Sequence, residues 1–231
     1  MQLTIQKKPK NPIIIEGFPG YGLVGTIATE FLIKHLNATQ IGSIRIEEIP
    51  PVIAVHKGDP VEPLGIFYDP KHNFIILHAL ASVQGFEWKI ADLLVKLAND
   101  LNAKEFISLE GVGANEITKE PRLFYLNKGG KSFKDSHIQP LKEGIIIGVT
   151  GALLLKQGLK LTCLFAETHS ALPDSRAAAK IIEFLDEYLT LNVDFKPLIK
   201  KAEEFEVKIK DLINKSKPVD QSLPKKPAYF G

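Results

Sequence analysis

Asn11-Pro-Ile-Ile-Ile-Glu-Gly-Phe-Pro-Gly-Tyr-Gly-Leu-Val-Gly-Thr-Ile-Ala-Thr29 reads as a buried strand, a tight glycine-rich turn and the start of a helix. Ile13, Ile14 and Ile15 form a short β-branched run with no polar alternation, the pattern of a strand covered on both faces. Gly17, Gly20, Gly22 and Gly25 crowd the turn, and Pro19 fixes one φ inside it. Beyond it Leu23, Ile27 and Phe31 recur at helical spacing, with Val24, Ala28 and Leu32 beside them. Gly25 lets that helix approach the strand closely.

Gly20, Gly22 and Gly25 satisfy G-x-G-x-x-G in a strand-turn-helix context, and Glu47 in the next apolar run, 42–49, stands about where a ribose-binding acid is expected. The motif leaves two readings open, a nucleotide-binding turn or a purely architectural one. Working outward, 43–49, 52–56, 64–69 and 74–79 read as strands, with turns at Pro50-Pro51, Gly58-Asp59-Pro60 and Asp69-Pro70. The last two strands form a hairpin, so this part of the sheet is antiparallel or mixed. Residues 82–101 carry one apolar stripe, Phe86, Ile90, Leu93, Leu94, Leu97 and Leu101, and read as an amphipathic helix. Residues 106–109 and 161–166 read as buried strands, as does 145–149, which precedes a helix over 152–157. Residues 115–144 are polar and aperiodic, apart from a strand candidate at 123–126. A helix over 175–189 follows, with Asp174 as its N-cap. Alternating strands and helices predict a doubly wound α/β sheet flanked by helices.

The expected organisation is an α/β core domain over 1–192, an amphipathic helix over 193–215 and a flexible tail over 216–231. Phe195, Leu198, Ala202, Phe205, Ile209 and Leu212 mark the apolar stripe of that helix. Charge is nearly balanced, 29 basic against 27 acidic residues with net +2, which argues against a nucleic-acid surface. No stretch approaches the ~20 apolar residues of a membrane span, and no secretory signal is visible, so a cytoplasmic location is expected. The single cysteine, Cys163, excludes an internal disulfide and reads as a small core residue. The six histidines are scattered without metal-binding spacing. Glu167-Thr168-His169, with Ser170, Asp174 and Arg176 close by, admits a catalytic reading at a strand end, against a plain capping role.

Glu16-Gly-Phe-Pro-Gly-Tyr-Gly-Leu-Val-Gly25, Gly111-Val-Gly113, Gly148-Val-Thr-Gly-Ala152 and His169-Ser-Ala-Leu-Pro-Asp-Ser-Arg-Ala-Ala-Ala179 resemble, in that order, the proteasome assembly chaperone family of the archaeal, second-chaperone-like type. The resemblance spans about 13–204. It implies a phosphorylase-like α/β fold with no catalytic residues, cofactor or metal, and an archaeal chaperone that binds proteasome α subunits or the α-ring. It makes the glycine turn architectural, with a nucleotide- or small-molecule-binding enzyme built on Gly20, Gly22 and Gly25 as the alternative. The apolar stripe beyond Asp194 and Trp88 suggest a homo-oligomer. The chain closes Lys225-Lys-Pro-Ala-Tyr-Phe-Gly231. This ending resembles the hydrophobic-tyrosine-any-residue tail of proteasome activators, with Tyr229 at the hydrophobic position, Phe230 at the tyrosine and Gly231 carrying the carboxylate. Phe230 departs from the pattern by lacking the hydroxyl.

Overall fold

A computed structural model of the chain describes residues 1–49, 53–56, 59–113, 120–129, 133, 137–168, 172–196 and 199–200. Its elements in chain order are β1 (Gln2–Ile5), β2 (Ile13–Gly17), α1 (Val24–His35), β3 (Thr39–Arg45), β4 (Ala54–His56), β5 (Asp59–Val61), β6 (Leu64–Asp69), β7 (Phe74–Ala79), α2 (Glu87–Asp100), β8 (Glu105–Gly113), β9 (Leu123–Lys128), β10 (Gln139–Pro140), α3 (Gly148–Leu155), β11 (Leu161–Thr168) and α4 (Ser175–Leu189). Among the described residues nine strands form one mixed sheet in the order β1-β3-β6-β7-β2-β8-β11-β9-β10, while β4 and β5 pair separately.

The centre of the sheet is parallel: β7, β2, β8 and β11 run side by side in one direction. Antiparallel strands extend it on both flanks, β6 beside β7 and β9 beside β11. Helices cover both faces, as the alternating pattern predicts. On one side α1 and α4 pack over Ile15, Ile76, Ile107, Leu109 and Leu164. On the other α2 and α3 pack over Ile14, Ile75, Phe106, Cys163 and Phe165. The unbroken apolar runs Ile13–Ile15 of β2 and Phe74–Leu77 of β7 follow from this double burial. Each such large side chain removed from water contributes about 1.5–3 kcal/mol.

Local chemistry sets the helix ends. The Asp174 carboxylate accepts hydrogen bonds from the backbone N–H groups of Arg176 and Ala177, capping α4 as expected from its sequence. The helix α2 begins at Glu87 rather than at 82, because Gly85 at φ +86° turns the chain just before it. The turn at 58–60 is also revised, since Asp59–Val61 is a strand paired with Ala54–His56.

The segment 145–149 is a larger correction. It is not a buried strand: Ile145 and Ile147 are 91% and 79% exposed, and α3 already begins at Gly148. There is no position for this segment beside β11, because both of its edges are taken, by β8 and β9. Of the C-terminal stripe, Phe195 packs on the α1–α4 core together with Ile199. Residues 197–198, with Leu198 of that stripe, the remainder of the expected helix over 201–215, and the tail over 216–231 lie outside the described residues.

Candidate functional site

The parallel strands β2, β8 and β11 deliver their carboxyl ends to one edge of the sheet, and the quoted glycine turn lies there. Its tight geometry is explained by packing within the chain. A Cβ on Gly17 would sit 2.1 Å from the Gly25 carbonyl oxygen, and one on Gly25 would sit 2.2 Å from the Leu109 carbonyl oxygen. The start of α1 is therefore pressed against both β2 and β8, an approach that only glycine permits. Residues 21–23 form a single 3-10 turn with Gly22 at φ +66°.

The dinucleotide alternative meets two structural facts. After its helix the fingerprint requires a parallel strand beside the first, with an acid at its tip. Here β3 runs in the same sense as β2 but is not beside it, because β6 and β7 separate the two. Glu47 follows β3 and so stands away from the turn. Moreover, the space facing Gly20 is taken by a carboxyl group, Glu110 Oε2, which would lie 2.5 Å from a Cβ there. The two neighbouring features that suggested a phosphate site belong to different parts of the sheet.

The 167–176 cluster resolves into structural pairs where it is described. Glu167 accepts a bidentate pair of hydrogen bonds from Arg122, from Nε at 2.8 Å and from Nη2 at 2.6 Å. The Thr168 hydroxyl donates to Asp174 at 2.8 Å, and Asp174 caps α4. His169 and Ser170 lie outside the described residues. Of the other histidines, His78 is buried with Nδ1 2.9 Å from the Thr29 hydroxyl, and burial pulls its pKa down to about 4. His72 pairs with Asp69 at 2.5 Å, and His35 stacks on Phe31. Among the described residues no group of three or more His, Cys, Asp or Glu side chains is placed to hold a metal. Cys163 is buried, and its thiol pKa is raised by desolvation and by Glu16 and Glu110 nearby, the setting of an unreactive core residue.

Beside the turn opens a cavity of about 570 Å³, lined by Phe18 to Tyr21, the Glu110–Gly113 strand end, Ile145 to Val149 and Phe165. Beneath it lies a polar cluster in the interior of the sheet. Register aligns Glu16 of β2 with Ser108 of β8, and Ser108 with Cys163 of β11. Glu110 is two residues further along the same face of β8. The Thr150 hydroxyl of α3 donates to Glu110 Oε1 at 2.8 Å. With its one proton so used, Thr150 accepts from Ser108 at 2.7 Å. Glu16 is fully buried, and neither of its carboxyl oxygens has a hydrogen-bond partner. Ser108 is near enough to ease the cost of ionising Glu16, but its hydroxyl is committed to Thr150.

Burial, reinforced by the Glu110 charge, pushes the Glu16 carboxyl up to about 8. Burial likewise raises Glu110 to about 7, against the hydrogen bonds from Thr150 and the Gly111 N–H. The sequence carried a signal for this pair: a glutamate inside an isoleucine run, and another at the glycine-rich end of a buried strand. Two further surface features stand out, Trp88, 55% exposed with the Lys156 ammonium over its ring, and the exposed Ile145, Ile147 and Leu155 around α3. Tyr229, Phe230 and Gly231, the expected partner-binding residues, lie outside the described residues. No helix among those described is long and apolar enough to cross a membrane.

Residues 14–213 match the model of the PAC2 family. The chain belongs to the PAC2 family. A protein of Methanocaldococcus jannaschii, itself uncharacterised, is 34% identical over 228 residues, covering 96% of this chain and 94% of its own. The crystal structure of Pyrococcus furiosus PbaA, described as an archaeal homolog of proteasome-assembly chaperone, matches with a TM-score of 0.83 and 34% identity over 92% of this chain and 96% of PbaA. Pyrococcus furiosus PbaB, described as an archaeal proteasome activator, shares the fold, with a TM-score of 0.74 and 22% identity over 92% of this chain and 98% of PbaB. The resemblance read from the four sequence blocks is thus to the family whose model matches residues 14–213.

Proposed function

We propose that this PAC2 protein is a non-catalytic cytoplasmic chaperone that binds α subunits of the proteasome core. The observation that carries the reading is the likeness to PbaA along nearly the whole of both chains. The geometry of the strand ends supports it: the glycines serve close packing, and Glu167, Thr168 and Asp174 are engaged in pairing and capping.

Two finer features belong to the same proposal. Tyr229, Phe230 and Gly231 dock on the α-ring, with two rings for an apolar pocket and a carboxylate for a lysine. The chain also self-associates, an expectation supported by the exposed Ile145, Ile147, Leu155 and Trp88. Several tails in one assembly then engage a ring together, so avidity offsets a weak single contact. Surface plasmon resonance on immobilised α-ring tests both partner and tail. The full chain is expected to bind saturably, and deletion of 229–231 to weaken it by about tenfold or more. Unchanged affinity on deletion would remove the tail from the proposal, and no binding by the full chain would remove the partner.

A further inference from the structure

The cavity at the carboxyl edge of the parallel strands has a chemistry of its own. Its volume of about 570 Å³ is within the range of small-molecule sites, and it lies where open α/β sheets place them. Phe18, Tyr21, Val149 and Phe165 give it an apolar wall. Its charged lining groups are Glu87 and Glu110; among the described residues no lysine, arginine or histidine lines it. A phosphate or carboxylate ligand would therefore meet like charge with no compensating cation. Glu110 reaches the cavity with one oxygen fixed by Thr150. Behind it Glu16, fully buried with neither oxygen partnered, is a second acid with no cation beside it among the described residues.

We propose that this cavity binds a small organic amine, its ammonium group seated on the Glu110 carboxylate and its apolar body against Phe18, Val149 and Phe165. The inference rests on the cavity and its charges and is independent of the proteasome reading. A charge-assisted hydrogen bond to a partly desolvated carboxylate is among the stronger single polar contacts. Binding requires Glu110 ionised, so the amine displaces its proton to solvent, and affinity rises as pH passes through about 7.

The test uses the full chain, labelled with nitrogen-15 and titrated with three probes sharing one ring: phenethylamine, 2-phenylethanol and 3-phenylpropionate. At pH 8 phenethylamine is expected to give saturable shifts at the amides of Gly111, Val112, Gly113 and Gly148, with affinity about tenfold above that of the alcohol. The carboxylate should bind more weakly than either. Between pH 8 and pH 6 the affinity for the amine should fall about tenfold, as the competent ionised fraction falls, while that for the alcohol stays level. Glu110→Gln should abolish the preference for the amine; should that variant fail to fold, the pH titration of the unaltered chain decides alone. Equal affinity for amine and alcohol, a pH-independent amine affinity, or saturable shifts confined to other residues would overturn the proposal. Binding of Nα-acetyl-lysine methylamide without binding of phenethylamine would also overturn it, in favour of a lysine side chain from a protein partner.

Discussion

Glu16→Gln separates the ionisation of the buried acid from its shape. In the folded chain the Glu16 carboxyl holds its proton up to about pH 8, against an ordinary value of 4.5. The folded state therefore binds more protons than the unfolded one between those values, and stability falls as pH rises. The contribution is fully present below about pH 4.5 and is lost as pH passes through about 8. Because the group is fully buried, the loss is on the order of 5 kcal/mol between pH 4 and pH 9. Glutamine occupies nearly the same volume but does not titrate. Its amide leaves donors without partners, costing about 1–3 kcal/mol at low pH. Urea unfolding at pH 5, 7 and 9 should thus give crossing curves: the variant is less stable at pH 5, and more stable at pH 9 by several kcal/mol. Glu110 titrates in both proteins and sets the slope that remains. Parallel pH dependences for variant and parent would refute the reasoning, because Glu16 would then not be a buried neutral acid.

His78 acts on the opposite limb. Burial lowers its pKa from 6.5 to about 4, so its contribution is present above pH 6.5 and lost as pH falls through 4; His78→Phe should flatten that acid limb by on the order of 3 kcal/mol in acid-unfolding titrations. Gly25→Ala places a Cβ 2.2 Å from the Leu109 carbonyl oxygen and should cost about 3 kcal/mol or more by urea unfolding. Gly158→Ala meets nothing within 4 Å and carries only the strain of φ +78°, so it should cost about 1 kcal/mol; equal losses would show that close approach is not what the turn requires. Asp174→Ala removes the cap of α4 and the acceptor of the Thr168 hydroxyl, with an expected loss of about 1–2 kcal/mol in Tm-based stability.

What could be read in advance was local. The strand, turn and helix from Ile13 to His35 are encoded by contiguous residues, as is α4 with its aspartate cap, and both lie where the pattern places them. The segment 145–149 misled because an apolar run has the same composition whether it enters a sheet or lines a surface. What decides is whether the edge of β11 is vacant, and β9 fills it. The terminal strand β1 and the two-residue β10 are too short to announce themselves. The function of the glycine turn was decided by topology as well, since Glu47 fits the spacing but follows a strand that β6 and β7 separate from β2. Glu16 and Glu110 are each visible as acids in apolar surroundings, but their proximity depends on the register between β2 and β8. No spacing rule along the chain gives that register.

The central claim is that this protein works on proteasome subunits. The most direct measurement is capture from native cell extract with the full tagged chain, with mass-spectrometric quantification against an untagged control. The account predicts that proteasome α subunits are enriched above all other soluble proteins. Their absence from the captured set, with the chain folded and abundant, would contradict it.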